Sequence, residues 1–136
     1  MNSSDLIGRQ ILNRDYTAPV LDQLDLLLRD SRATDIVLSL VESSKPPEAT
    51  PKDAVDQSMQ ALEALAKVAA TPACLLMVAL SAIADSLFMH DVVDSVRLWI
   101  DANMSPGLKS ELSRLALSEH NPTTRKYMAW IVSRYR

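Results

Sequence analysis

The sequence predicts an all-α fold, a compact multi-helix bundle or stack of αα-hairpins, and three observations support this prediction. Side chains that cap helices stand directly before proline at four places: Thr50-Pro51, Thr71-Pro72, Ser105-Pro106 and Asn121-Pro122. Proline suits the first helical position because the N–H of that position has no partner within the helix. Apolar residues recur at helical spacing, and only two glycines occur in 136 residues. No segment shows the alternating pattern of a convincing strand.

The predicted helices follow these signals along the chain. A looser start signal, Thr17-Ala18-Pro19, precedes the second helix, and Leu108, Leu112 and Leu115 form the apolar stripe of the seventh. The stretch from Leu75 to Met89 is apolar nearly all round, which predicts a helix surrounded by others. In order, helices are expected near residues 4–13, 18–30, 33–43, 51–69, 72–89, 92–103, 106–118 and 122–134.

A proline-rich stretch divides the chain into two helical parts. Residues 44–50 contain Pro46-Pro47 and are expected to form a flexible loop. They separate an acidic N-terminal helical section, residues 1–43, from a main helical bundle, residues 51–136. We predict one domain, residues 1–136, because some forty residues bury too little surface to fold alone. Short connections after Thr71 predict antiparallel neighbours.

Composition and charge exclude several classes of function. Seventeen acidic residues against fourteen basic ones give a net charge of −3, which disfavours general nucleic-acid binding. Two glycines are too few for a glycine-rich phosphate loop, and one cysteine forms neither an internal disulfide nor a cysteine zinc cluster. We therefore expect no cofactor and no bound metal. With no secretory signal and no apolar run of about 20 residues, the expected location is the cytoplasm and not the membrane.

Acidic residues concentrate in the second and third predicted helices. Asp22 and Asp25 are three residues apart and share a helix face, and Asp30 and Asp35 follow them. A solvated helix face explains such a cluster, but small acidic proteins also suit basic targets because opposite charge speeds encounter. The leading hypothesis is a non-catalytic protein-binding module, such as a bacterial inhibitor of the immunity type that neutralises a basic protein partner.

The last predicted helix offers a second contact surface. Tyr127, Trp130 and Arg134 belong to the residue types that anchor protein interfaces. The same aromatic side chains also suit the core of the bundle, so the pattern leaves both interpretations open. A terminal helix of this kind can also form a two-fold contact between copies, which makes a homodimer a further expectation.

The start of this helix supports an alternative hypothesis, a DNA-binding or regulatory protein. Thr123, Thr124, Arg125 and Lys126 stand where the second helix of a helix-turn-helix presents its N-terminal residues to the major groove. Against it, residues 117–121 form a longer connection than the usual three- to four-residue turn and contain no glycine. The acidic chain also makes nucleic acid the less favoured partner.

A third hypothesis is a small helical enzyme, or a subunit of one, with a carboxylate and histidine site. Its candidates are Asp85, His90, Asp91 and Asp94, but no histidine precedes His90 to complete a metal site. Asp91 is instead expected to cap the next helix, and His90 to end the preceding one. Cys74 stands among apolar residues and is expected in the core. No catalytic residue is therefore assigned.

Overall fold

The computed structural model describes residues 3–44 and 50–135, and within these ranges the chain forms eight α-helices and no strand. The all-α prediction is confirmed. Most of the predicted proline-rich loop, residues 45–49, lies outside the described residues. The helices are α1 (Ser3–Leu12), α2 (Ala18–Arg29), α3 (Ala33–Ser43), α4 (Pro51–Ala66), α5 (Ala70–Ser86), α6 (His90–Asn103), α7 (Pro106–Ser118) and α8 (Pro122–Ser133).

Three of the predicted caps form in the structure. Thr50 Oγ1 accepts the Asp53 N–H at 3.2 Å, and the Asp53 carboxylate accepts the Thr50 N–H at 3.2 Å, which completes a capping box at the start of α4. Ser105 Oγ accepts the Leu108 N–H at 3.1 Å to cap α7. Asn121 Oδ1 caps α8 by accepting two first-turn N–H groups at 3.0 and 3.1 Å.

Two predicted helix starts are wrong by two residues. Helix α5 begins at Ala70, so Pro72 occupies the third helical position. Proline is tolerated there because first-turn N–H groups have no intrahelical partner. Helix α6 begins at His90 with Met89 as its N-cap residue. Asp91 therefore lies in the first turn instead of capping the helix, and His90 starts a helix instead of ending one.

Helix α5 forms the centre of the bundle, as its apolar sequence predicts. It packs against α2, α3, α4, α6, α7 and α8, and its side chains from Ala73 to Ala82 are all buried. Helix α1 packs mainly on α3. One cluster of buried apolar residues extends from Ile7 in α1 to Ile131 in α8.

The contact between α1 and α3 depends on a glycine. A Cβ atom at Gly8 would lie 2.5 Å from Ser39 Oγ and 2.9 Å from the backbone nitrogen of Leu40. The second of these atoms is backbone and cannot rotate away. Ser39 Oγ also donates a 2.9 Å hydrogen bond to the carbonyl oxygen of Asp5, which ties the two helices together at this close approach.

Helix α3 receives its cap from a distant part of the chain. Its N-cap residue, Arg32, makes no side-chain cap bond. Instead Glu119, between α7 and α8, accepts the Thr34 N–H through Oε1 at 3.1 Å. Glu119 is 0% exposed, and its other oxygen, Oε2, has no hydrogen-bond partner among the described residues. The buried carboxylate therefore sits at the positive end of the α3 dipole, where a negative charge is favoured.

The end of α2 is held by the same part of the chain. Arg114 Nη2 donates to the Leu28 carbonyl at 2.9 Å, and the backbone N–H of His120 donates to the Ser31 carbonyl at 3.3 Å. The Ser31 hydroxyl donates to Ser118 Oγ at 2.7 Å. We call this set of contacts the clasp; on the C-terminal side it comprises Arg114, Ser118, Glu119 and His120. The clasp joins the α2–α3 turn to the connection between α7 and α8.

Removing the Glu119 carboxylate tests the clasp. Glu119→Ala leaves the Thr34 N–H without its acceptor, and we expect the free energy of unfolding to fall by about 2 kcal/mol. Urea denaturation followed by circular dichroism measures this change. Glu63→Ala is the matched control, because Glu63 is exposed on α4. The control is expected to change stability by less than about 0.5 kcal/mol, and equal losses in both variants would contradict the role of Glu119.

Within the described part of the chain, three helices end on residues with positive φ, and none of these residues is glycine. Arg14, Ser31 and Phe88 have φ angles of 58°, 59° and 58°. Each follows a helix in the pattern of a Schellman motif; after α5, the Phe88 N–H bonds to the Asp85 carbonyl at 3.1 Å and the Met89 N–H to the Ala84 carbonyl at 2.9 Å. Glycine normally occupies this left-handed position because a Cβ atom strains it.

Phe88 differs from the other two residues because its side chain makes no compensating hydrogen bond. Arg14 donates to the Leu12 carbonyl at 2.8 Å, and Ser31 belongs to the clasp. The Phe88 side chain is 80% exposed, and its described ring contact is an edge-on approach to His90 at 6.5 Å. The bundle thus holds an exposed aromatic residue in a strained backbone conformation.

Phe88→Gly tests this strain. We expect the substitution to raise the free energy of unfolding by about 1 kcal/mol, because glycine adopts the left-handed conformation without a Cβ penalty. Leu87→Gly is the control, since Leu87 has a φ of −100° and gains nothing from glycine. Thermal unfolding of both variants gives the comparison. A loss of stability in Phe88→Gly would mean that the ring packs more tightly than its exposure indicates.

Candidate functional site

Trp130 lies on the surface of α8, and two arginine side chains approach its ring. It is 47% exposed, and the guanidinium carbons of Arg97 and Arg134 lie 5.3 and 5.6 Å from its ring centroid. Arg134 reaches the ring because residues four apart share a helix face, whereas Arg97 comes from α6. Cations at this distance are attracted to the face of the indole. The two contacts hold the ring at the surface.

Tyr127 anchors this part of α8 to α5. Its hydroxyl forms a hydrogen bond with the hydroxyl of Ser81, and its ring centroid lies 5.7 Å from that of Trp130 with the planes tilted by 53°. Burial raises the pKa of the Tyr127 hydroxyl, with a smaller opposing effect from the bond to Ser81. The half-buried Tyr127 side chain therefore connects α8 to α5 and packs against Trp130, which is the exposed aromatic residue of the pair.

A surface hollow of about 530 Å³ lies beside these rings. We call it the α5–α8 groove; it is lined by Ala82, Asp85, Thr123, Lys126, Tyr127 and Trp130. The charged side chains at the groove are Lys126 and Asp85, and both are exposed. Volumes between about 300 and 1,000 Å³ are typical of sites that accept ligand groups.

The predicted acidic cluster is divided among different surfaces. Asp22 and Asp25 are exposed on α2, and Asp25 borders a hollow between α2, α5 and α7. Asp30 and Asp35 both pair with Arg32, each at 3.2 Å. The pKa of Arg32 is raised by its hydrogen bond to Asp30 and, to a smaller extent, by its hydrogen bond to Asp35. The guanidinium therefore remains charged between the two carboxylates. The structure does not bring the four acids to the face of α8 that carries Tyr127, Trp130 and Arg134.

The four DNA-binding candidates separate into two pairs. Thr124 is buried, and Arg125 is half-buried with its Nη1 donating to the Glu119 carbonyl at 2.9 Å. Thr123 and Lys126 are exposed and line the α5–α8 groove. The expected long connection is wrong, because α7 ends at Ser118 and α8 begins at Pro122. Three residues are a usual length for the turn of a helix-turn-helix.

The carboxylate and histidine candidates do not converge. Asp91 pairs with Lys52 at 2.6 Å, and this hydrogen bond lowers the pKa of Asp91 and raises that of Lys52. Asp94 lies 3.9 Å from Arg97, while Asp85 faces the α5–α8 groove. Within residues 3–44 and 50–135, no three histidine, cysteine or acidic side chains are grouped as metal ligands.

Cys74 is buried on α5, in the core where the sequence places it, and burial raises the pKa of its thiol to about 11. Because the thiolate is the reactive form, we expect iodoacetamide to label the native protein very slowly at about pH 8. Unfolding in guanidinium restores an ordinary thiol and is expected to give complete labelling. Intact-mass spectrometry of the two samples checks this. Rapid labelling of the folded chain would contradict the burial of Cys74.

Arg97 is the site residue that sequence reasoning missed. Its spacing from Asp94 indicates only a surface ion pair, and no local signal relates α6 to α8.

None of the helices in the described part of the chain is long and apolar enough to cross a membrane. Comparisons of the chain with protein-family models, with curated proteins and with solved structures find no match. The functional argument therefore rests on the groove itself.

Proposed function

We propose that the chain is a non-catalytic protein-binding module that contacts its partner through the α5–α8 groove. The observation that carries this proposal is the exposed Trp130 ring, which Arg97 and Arg134 both approach and which lines a hollow. Tryptophan, tyrosine and arginine are the residue types most enriched among the few residues that carry most of the binding energy of protein interfaces. This arrangement supports Trp130 as the residue that a side chain of the partner contacts in the α5–α8 groove.

The neighbours of Trp130 prepare it for binding. Tyr127 and the two arginines restrict the indole before a partner arrives, which lowers the conformational entropy lost on association. A guanidinium that stacks on a ring keeps the N–H groups at its edge available. Arg97 and Arg134 can therefore donate to carboxylate or carbonyl oxygens of the partner while they remain against Trp130.

A finer hypothesis concerns the partner's charge. The net charge of −3 and the exposed Asp22 and Asp25 support a basic partner, as in an inhibitor of the immunity type. In this hypothesis α2 steers the encounter, and the α5–α8 groove supplies the lasting contact. Asp30 and Asp35 contribute less, because Arg32 lies between them.

DNA binding is the second candidate, favoured by the three-residue connection between α7 and α8 and by the exposed Thr123 and Lys126. Thr124 and Arg125 weaken it, since the first is buried and the second bonds to the Glu119 carbonyl. A helix-turn-helix requires its first-turn side chains to face the major groove.

Affinity capture with matched variants tests the proposed function. Immobilised wild-type chain, in lysate of its source organism treated with nuclease, is expected to retain a specific protein. Trp130→Ala is expected to reduce that retention by at least about tenfold, as for a central interface residue. Leu117→Ala is the control because Leu117 is 85% exposed on α7, outside the groove. Quantitative mass spectrometry of the retained protein measures both effects.

Each other outcome has its own meaning. Retention that Trp130→Ala leaves unchanged contradicts the groove as the contact surface. Nucleic acid recovered without nuclease, and lost in Lys126→Ala, favours the second candidate. With the retained protein purified, Asp22→Lys combined with Asp25→Lys is expected to slow association at low salt. An unchanged association rate would remove the hypothesis of a basic partner.

A further inference from the structure

The α5–α8 groove continues across the surface. A second hollow of about 270 Å³ shares Ala82 and Thr123 with it and extends to Leu38 on α3. A third hollow of about 420 Å³ shares Leu38 and lies between α1 and α3. Each hollow therefore adjoins the next at shared lining residues, and we call this row of three hollows along α8, α5, α3 and α1 the long groove.

The two ends of the long groove carry opposite charge. Lys126, Arg97 and Arg134 surround the α8 end, with Asp85 as the acidic residue of its lining. The lining of the α1–α3 end contains no basic side chain among the described residues; its acids are Asp5, Asp35 and Glu42. Contacts within the chain reduce the contrast without removing it: Asp5 has an interaction of its own, Arg32 neutralises part of Asp35 at 3.2 Å, and Asp94 approaches Arg97 at 3.9 Å.

The middle of the long groove is uncharged. Its lining combines apolar side chains with hydroxyl and amide groups: Thr34, Leu38, Ala82, Ile83, Ser86, Asn121, Thr123 and Thr124. Leu38 is 47% exposed at the boundary with the acidic end, as Trp130 is at the basic end. Most of these polar groups are already engaged: Asn121 Oδ1 caps α8, and Ser86 Oγ donates to the Ile83 carbonyl at 2.7 Å. Thr34 and Thr124 are buried. The middle therefore presents mainly apolar surface, together with the exposed Thr123 side chain.

We propose that the long groove binds a linear segment of a partner protein in one direction. The segment carries acidic residues at the α8 end, apolar and uncharged residues in the middle, and basic residues at the α1–α3 end. This inference rests on the proposed function, because Trp130 anchors one end of the segment. Opposite charges at the two ends penalise the reversed orientation, since like charges would then face each other.

The same charges decide against a nucleic-acid strand. A strand carries a negative phosphate at every nucleotide, and such a backbone in the long groove would meet Asp35 and Glu42. Only the α8 end would attract it. A segment with one acidic and one basic end satisfies both halves of the long groove.

Selection from a random peptide library tests this inference. Displayed peptides of about 12 residues, which span roughly 40 Å when extended, are selected on wild-type chain and counter-selected on Trp130→Ala. We expect enriched sequences with acidic residues at one end and basic residues at the other, always in the same chain direction. For a synthetic peptide of that sequence, Lys126→Glu and Glu42→Lys are each expected to weaken binding by about tenfold.

Matched variants and a second readout separate the outcomes. Lys67→Glu makes the same charge change at an exposed residue outside the groove and is expected to leave affinity within about twofold. Peptides that require Trp130 but tolerate Glu42→Lys and Leu38→Ala would overturn the long groove and leave the α5–α8 groove as the binding site. Failure to enrich any peptide that depends on Trp130 overturns the linear segment, whereas the α5–α8 groove as a protein contact is decided separately by the affinity capture with Trp130→Ala. A dimer that Trp130→Ala dissociates, seen by light scattering, overturns the linear segment in favour of a second copy.

Discussion

The arrangement of the C-terminal helices depends on the hydrogen bond that the buried Glu119 carboxylate accepts from the Thr34 N–H. A charge removed from water is costly unless donors meet it, and the N-terminal turn of α3 supplies a donor and a favourable dipole. Glu119 also directly follows α7, and its backbone carbonyl accepts a hydrogen bond from the Arg125 guanidinium at the start of α8. Glu119 thus links the corner between α7 and α8 to the first turn of α3. The position of Trp130, two turns along α8, follows from that corner.

Scarcity of glycine places a second constraint on the fold. Helices α1, α2 and α5 each close with a left-handed residue, and the chain has no glycine at any of these positions. The strain at Ser31 is offset within the clasp, because its hydroxyl and carbonyl both bond to the α7–α8 connection. The strain at Phe88 has no such offset, because its side chain is largely exposed and forms no hydrogen bond. Among the three left-handed helix ends described, the α5–α6 turn is therefore the one whose conformation is stabilised by backbone hydrogen bonds alone.

Local signals explain what could be predicted and what could not. Thr50, Ser105 and Asn121 cap the helix that begins beside them, so their chemistry is readable within four residues. Helices α5 and α6 start after Ala69 and Met89, whose side chains make no cap bond, so no local signal marks these two starts in the sequence. The cap of α3 and the stacking of Arg97 on Trp130 join residues 85 and 33 positions apart. Such contacts depend on how helices cross, which periodicity does not encode.

The fold converts a charge asymmetry along the chain into one across its surface. Acidic residues outnumber basic ones in the first half, while basic residues prevail from Lys109 onward. Helices α3 and α8 both pack on α5, and the clasp draws the start of α3 to the start of α8. Acidic side chains beside α1 and α3 therefore lie at one end of a depression whose other end carries the cations around Trp130. Because the charges at the two ends have opposite sign, they favour one orientation of the linear segment proposed above, and they give little net attraction to a surface that carries charge of one sign only.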